Sequence, residues 1–227
     1  MSVDMATARS SPIGRPQGDD GHADPNVTSA LAAWASSAAT EHATLVALSS
    51  ARLLVPVVAM LTEADATTGA EKETEMALPT LIGADGRAAI IAFTGIETLT
   101  RWRPDARPVP TPAARVWSAA VAEGQAVVVD VAGPVPFVVE GARLAALAAG
   151  QAPPPPQEDP DVVSVVEAAV AAEAGVTGYR LGMGAAGGEL AVSFCSVDIA
   201  AARRAAQVVA MGLAPRLRQG IELSVTT

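Results

Sequence analysis

The side chains able to do chemistry are few in this chain, and their spacing decides which reactions are open to it. Two histidines, His22 and His42, and one cysteine, Cys195, are all it has of each. A catalytic triad needs an imidazole held between a nucleophile and an orienting carboxylate. His22 falls in a polar N-terminal stretch and His42 beside a helix, so no triad assembles, and no set of thiolates and imidazoles for a metal does either. No catalytic residue, metal ligand or cofactor is assigned, and the reading leans away from an enzyme. Cys195 lies in an apolar strand just ahead of a helix, where a free thiol is ordinarily a buried structural group rather than an activated one. Glu71, Glu73 and Glu75 alternate in a polar stretch, a pattern of solvated carboxylates rather than of a pair sharing one proton. The run Gly182-Met183-Gly184-Ala185-Ala186-Gly187-Gly188 invites a phosphate-loop reading, yet no Lys-Ser/Thr pair follows it and a strand, not a helix, comes next. It reads as a hairpin loop.

One stretch has the composition of a recognition surface. Phe93, Thr94 and Gly95 lead to Arg101, Trp102 and Arg103 and then to Arg107-Pro108-Val109-Pro110, gathering aromatics and guanidiniums in a chain that is only 3% aromatic. Arg52, Phe93, Thr94, Trp102, Arg103 and Arg107 are the candidate binding residues. The competing reading makes Phe93 and Trp102 core residues and either pairs the arginines with Glu97 and Asp105 or stacks them on Trp102. Two functions are carried forward: a binding or regulatory module that uses Trp102 and Arg107 against a partner protein, and an enzyme or binder of a small amino-acid-like metabolite, its carboxylate clamped by Arg107 or Arg52.

Positioning these groups is the task of 227 residues that are 50% apolar and 17% charged, enough for a substantial core. The net charge of −9 is spread along the chain without a basic island, which argues against nucleic acid as a partner. No uninterrupted apolar run is long enough to suggest a membrane span, and the polar residues ahead of Pro25 lack the apolar core of a secretory signal. With a single cysteine, a cytoplasmic location is expected. The apolar surface leaves a homo-oligomer open.

Residues 1–27 read as a disordered tail, 28–150 as an α+β domain, 151–157 as a proline-rich linker and 158–227 as a smaller α-β-β-α-β unit. Within the larger part, helical spacing marks Leu31–Ala38 and Leu45–Leu48, with Thr28 and Ser29 as caps. Leu53–Ala59 reads as an edge strand or a bulged one because Pro56 cannot donate to a ladder. Residues 62–76 read as a surface loop. Leu78–Gly83 and Ala88–Phe93, joined through Asp85-Gly86, form a hairpin. Thr94 to Glu97 has capping-box spacing for a short helix stopped by Pro104. The prolines at 104–110 fix a stiff connector until Thr111 and Pro112 start the helix that ends at Gly124. Ala126–Val131 and Val135–Val139 are strands, and Leu144 and Leu147 lie on a helix ending at Gly150. Beyond the linker, Asp159 and Asp198 cap two helices, Thr177–Gly182 and Glu189–Ser196 are strands, and Ile221, Leu223 and Val225 alternate in a last one. Hairpin-joined strands alternating with helices favour a mixed or antiparallel sheet over a doubly wound one.

The residues Ala51–Val57, Met76–Leu81, Asp85-Gly86-Arg87, Ala92-Phe93-Thr94-Gly95, Trp102 and Ala106–Pro110 resemble the N-terminal domain of the SseB-like family, named for enhanced serine sensitivity, in its actinobacterial form. The resemblance spans about residues 45–150 and is loose over 158–227. It implies a bacterial cytosolic α+β protein and carries over no catalytic residue.

Overall fold

The computed structural model describes residues 2–6, 19–61, 74–83, 86–184 and 188–226. The larger unit begins with strand β1 (Ser2–Ala6) and helices α1 (Pro25–Ala35) and α2 (Glu41–Ser49). Strands β2 (Arg52–Leu61), β3 (Thr74–Ile82) and β4 (Ala88–Ala92) lead to helix α3 (Ile96–Trp102). Strand β5 (Arg107–Pro112), helix α4 (Ala113–Ala122), strands β6 (Ala126–Val129) and β7 (Phe137–Val139) and helix α5 (Gly141–Ala148) complete it. The smaller unit runs α6 (Pro160–Ala171), β8 (Val176–Gly182), β9 (Leu190–Ser196), α7 (Ile199–Leu213) and β10 (Ile221–Thr226), the α-β-β-α-β order its patterning implies.

The larger sheet is mixed, in the order β5-β2-β3-β4-β6-β7 with β1 on β3. Period-2 alternation sends its side chains to two cores. Leu53, Ala92, Val127, Val129, Phe137 and Val139 pack against α1, α2, α4 and α5. Leu54, Ile91, Phe93 and Val128 face the other way, with Leu99 and Trp102 of α3. The fold is α+β, as expected, and the key pairing within it is β4 with β6, which is parallel.

Several local readings change. Asp24 caps α1 with Pro25 in the first turn, so the helix starts earlier than Thr28. The stretch read as a tail also contains β1, antiparallel to β3, and a strap at Asp19–Asp24; residues 7–18 lie outside the described residues. The loop read at 62–76 lies outside them over 62–73, while 74–76 belongs to β3. The segment read as a proline connector is strand β5, antiparallel to β2 along its whole length. Pro108, Pro110 and Pro112 fall at alternate positions, so Arg107, Val109 and Thr111 supply the bonds to β2 and the prolines turn outward. The same alternation explains why β2 lies inside the sheet despite Pro56. Pro56 faces away from β5, between the Leu54–Phe93 bridge and the β3 ladder that starts at Val58, where no partner asks it for an N–H.

The β10-β9-β8 sheet of the smaller unit buries Leu190, Val192 and Phe194 under α6 and α7. The segment read as a linker packs down, burying Pro153 and Pro156. A buried ion cluster joins the units. Glu41 Oε1 accepts from Arg143 Nη1 at 2.5 Å, and Glu41 Oε2 from Arg216 Nη2 at 2.9 Å. Arg216 also reaches Asp159 at 2.5 Å. Burial pulls Arg143 below the usual arginine range in spite of Glu41. Burial works the same way on Arg216, but the hydrogen bonds it donates to Glu41 and Asp159, with their charges, outweigh it and raise its pKa. Glu189, pushed up by burial, accepts the backbone N–H groups of Glu41 and Gln219. Beside the cluster, Arg218 stacks 4.1 Å above the Trp34 ring, whose Nε1 donates to the Arg216 carbonyl.

Candidate functional site

Because β4 and β6 run parallel, their carboxyl ends open on the same side, and both chains leave there through polar turns. Crevices at such strand ends are where open α/β sheets hold ligands. Thr94 follows β4 and Asp130 follows β6. Asp130 is 4% exposed and left-handed, with φ of 53°, a conformation that Asp tolerates better than most residues. Its Oδ1 accepts from the Thr94 N–H at 2.9 Å and from Thr98 Oγ1 at 2.6 Å, and its Oδ2 accepts from Thr94 Oγ1 at 2.7 Å. Three donors converge on one buried carboxylate, and it has no ion pair among the described residues. Gly133 closes the turn, its N–H 2.7 Å from the Asp130 carbonyl; a Cβ there would fall 2.9 Å from that of Asp130.

The strap forms the facing wall. Ile96 donates its N–H to the Gly21 carbonyl at 2.8 Å, and a Cβ on Gly95 would lie 2.8 Å from the Ala23 nitrogen. Only a glycine lets the strap pass this close. Arg52 holds the strap from beneath: Nε pairs with Asp19 at 2.7 Å, Nη1 donates to the Thr94 carbonyl at 3.0 Å and Nη2 to the His22 carbonyl. Between strap, α1 and α3 lies a cavity of about 370 Å³. Thr94, Thr98 and Asp130 form its polar floor, with His22 and Thr28 adding polar groups from the strap and α1; Leu31, Ile96 and Val135 are among its apolar ones, and Glu97 and Arg101 line it from α3.

The candidate binding residues are thus dispersed. Thr94 lines the cavity, and Arg52 sits behind it as an anchor of the strap. Phe93 is fully buried, its ring 5.5 Å from that of Trp102. Arg103 pairs with Asp105 at 3.1 Å, and Arg107 is exposed on β5. The capping box read at Thr94–Glu97 is not made. Gly95 is the cap residue of α3, without a side-chain bond, because the Thr94 hydroxyl is drawn to Asp130. Cys195 is half-buried on β9 with the Thr226 hydroxyl 3.7 Å from its sulfur, and His42 Nδ1 is buried without a hydrogen bond. Residues 185–187 of the glycine-rich run, like Glu71 and Glu73, lie outside the described residues.

The model of the SseB protein N-terminal domain matches residues 27–146, from α1 into α5, and so takes in most of the cavity. The chain belongs to the SseB family. No curated protein and no solved structure matches it. The SseB match ends before α6, leaving the smaller unit and its half of the ion cluster outside it. Among the described residues, no helix is long and apolar enough to cross a membrane, and no group of three or more His, Cys, Asp or Glu is placed to hold a metal ion.

Asp130, Thr98 and the strap were not singled out from the sequence. A signal for one of them exists. Asp130, like Thr94, is the first polar residue after an apolar run, Val127–Val129 for the one and Ile90–Phe93 for the other. Strands that are not consecutive in the chain must be known to be neighbours before those two exits can be placed together.

Proposed function

We propose that the SseB domain of this chain is a cytosolic small-molecule-binding module whose ligand occupies the cavity at the carboxyl ends of β4 and β6. The observation that carries this reading is the cavity floor, where Thr94 and Thr98 fix a buried, left-handed Asp130. Holding a carboxylate in a sparsely populated conformation under an open cavity is a use of strain more typical of a ligand site than of a core. The polar groups are spent on holding one another, which suits a rigid recognition floor.

A thermal-shift screen of the full chain against polar metabolites, amino acids included, tests it. A ligand at 100 times its dissociation constant stabilises by about 2.7 kcal/mol. Ala32→Trp places an indole in the cavity from the exposed side of α1. It should leave the melt near wild type and abolish the shift of every hit. Hits that persist in A32W, or a panel without a hit, overturn the proposal. In the second case, affinity capture with Trp102→Ala and Arg107→Ala as controls tests the partner-protein reading.

A further inference from the structure

Resting on that reading, we infer that the occupant is a primary ammonium ion on a small apolar body. The hydrogen-bond inventory of the floor leads there. Each threonine hydroxyl has one proton, and those of Thr94 and Thr98 are directed to Asp130, with the Gly95 carbonyl also 3.0 Å from Thr98 Oγ1. The Thr94 N–H is used as well. What the floor retains is lone pairs: those of the two hydroxyl oxygens and one on Asp130 Oδ2, which takes a single donor where Oδ1 takes two. The Thr94 and Thr98 hydroxyls therefore keep no proton for a group that accepts hydrogen bonds, and the charged donor of the lining, Arg101, stands on α3 away from Asp130.

Charge narrows the class further. A buried carboxylate is costly unless it is both hydrogen-bonded and faced by positive charge; Asp130 has its three donors but no cation among the described residues. An ammonium offers three donors and no acceptor, which matches the floor. A guanidinium wants two parallel acceptor oxygens, and Oδ1 is already taken. The rest of the ligand meets Leu31, Ile96, Pro134 and Val135, so its body is apolar. At the mouth, Glu97 adds a second negative charge, with Arg101 one helical turn on.

Three isosteric probes separate the alternatives: 3-methylbutylamine, 3-methylbutanol and 3-methylbutanoate, titrated into the nitrogen-15-labelled full chain and followed at the amide signals of Thr94 and Asp130. The amine is expected to shift both signals saturably and to bind at least about 10-fold more tightly than the alcohol, the difference made by one charge-assisted hydrogen bond. Asp130→Asn preserves shape and tolerance of the left-handed backbone while removing the charge, and should bring the amine down to the alcohol. Equal binding of amine and alcohol, or preference for the carboxylate through Arg101, overturns the inference while leaving the cavity as a ligand site. Absence of binding by all three probes overturns the inference, and together with a metabolite panel without hits it overturns the cavity reading as well. The wild-type comparison decides by itself if D130N fails to fold.

Discussion

Glu41→Ala is the sharpest test of how the two units are held together. Glu41 is 4% exposed and its carboxylate serves both Arg143 and Arg216. Without it, Asp159 is the one carboxylate left within ion-pair distance of the two guanidiniums, 2.5 Å from Arg216 and 3.9 Å from Arg143, while Glu140 and Glu189 act on them from farther away. The Arg143 side chain, 4% exposed and with Nε making no hydrogen bond, has little access to water, whereas Arg216 at 18% has some. Breaking a buried pair by deleting one partner costs about 3–5 kcal/mol, a large part of the roughly 5–15 kcal/mol that holds a typical domain. With a urea m-value near 2 kcal/mol/M, the unfolding midpoint should fall by about 1.5–2.5 M, read by circular dichroism and by tryptophan fluorescence. Trp34 makes the second probe sensitive to the boundary, since it bonds the Arg216 carbonyl and lies under Arg218. The double variant Glu41→Ala/Arg143→Met leaves Asp159 with Arg216 alone and should recover part of the loss. A loss below about 1 kcal/mol for E41A, or a double variant no more stable than the single, would refute this account of the cluster.

Other outcomes follow from the same geometry. Burial raises the pKa of Glu189, so between its ordinary value of 4.5 and its native value the folded state binds more protons than the unfolded one. Stability should therefore fall as pH rises through that window, and Glu189→Gln should flatten the slope in a pH series of urea midpoints. Glu173, lowered by its bond from Arg204, acts below 4.5 and with the opposite sign. Gly95→Ala sets a methyl 2.8 Å from the Ala23 nitrogen and should cost about 1–3 kcal/mol, with faster hydrogen exchange at the Ile96 amide that bonds Gly21. Asp130→Ala strands the Thr94 N–H and puts alanine at a positive φ, a loss of about 2–4 kcal/mol by thermal or urea melts.

What the sequence made legible was local. Caps such as Asp159-Pro160 and Asp198 and the β3–β4 hairpin depend on neighbours in the chain, and each formed where its residues said, whereas the strand read at Ala126–Val131 stops at Val129 because Asp130 turns left-handed. The parallel pairing of β4 with β6 depends on contacts across thirty-odd positions, and with it went the meeting of Thr94 and Asp130. Polar composition suggested a tail at 19–24, yet Arg52 and the bare backbone of Gly95 tie that segment down. Proline counted against β2 and β5 because composition records how many donors are missing, while the sheet asks only on which side they are missing. The units' boundary was hidden for a related reason: Glu41, Arg143, Asp159 and Arg216 are ordinary surface residue types until four distant segments converge on them.

The outward row of prolines on β5 bears on how this protein can associate. A neighbouring strand approaching that flank would find carbonyls at Pro108, Pro110 and Pro112 but no amide hydrogens to answer its own. Stacking of copies into a continuous ribbon is therefore blocked at that end, and any self-assembly has to be built through side chains on another face.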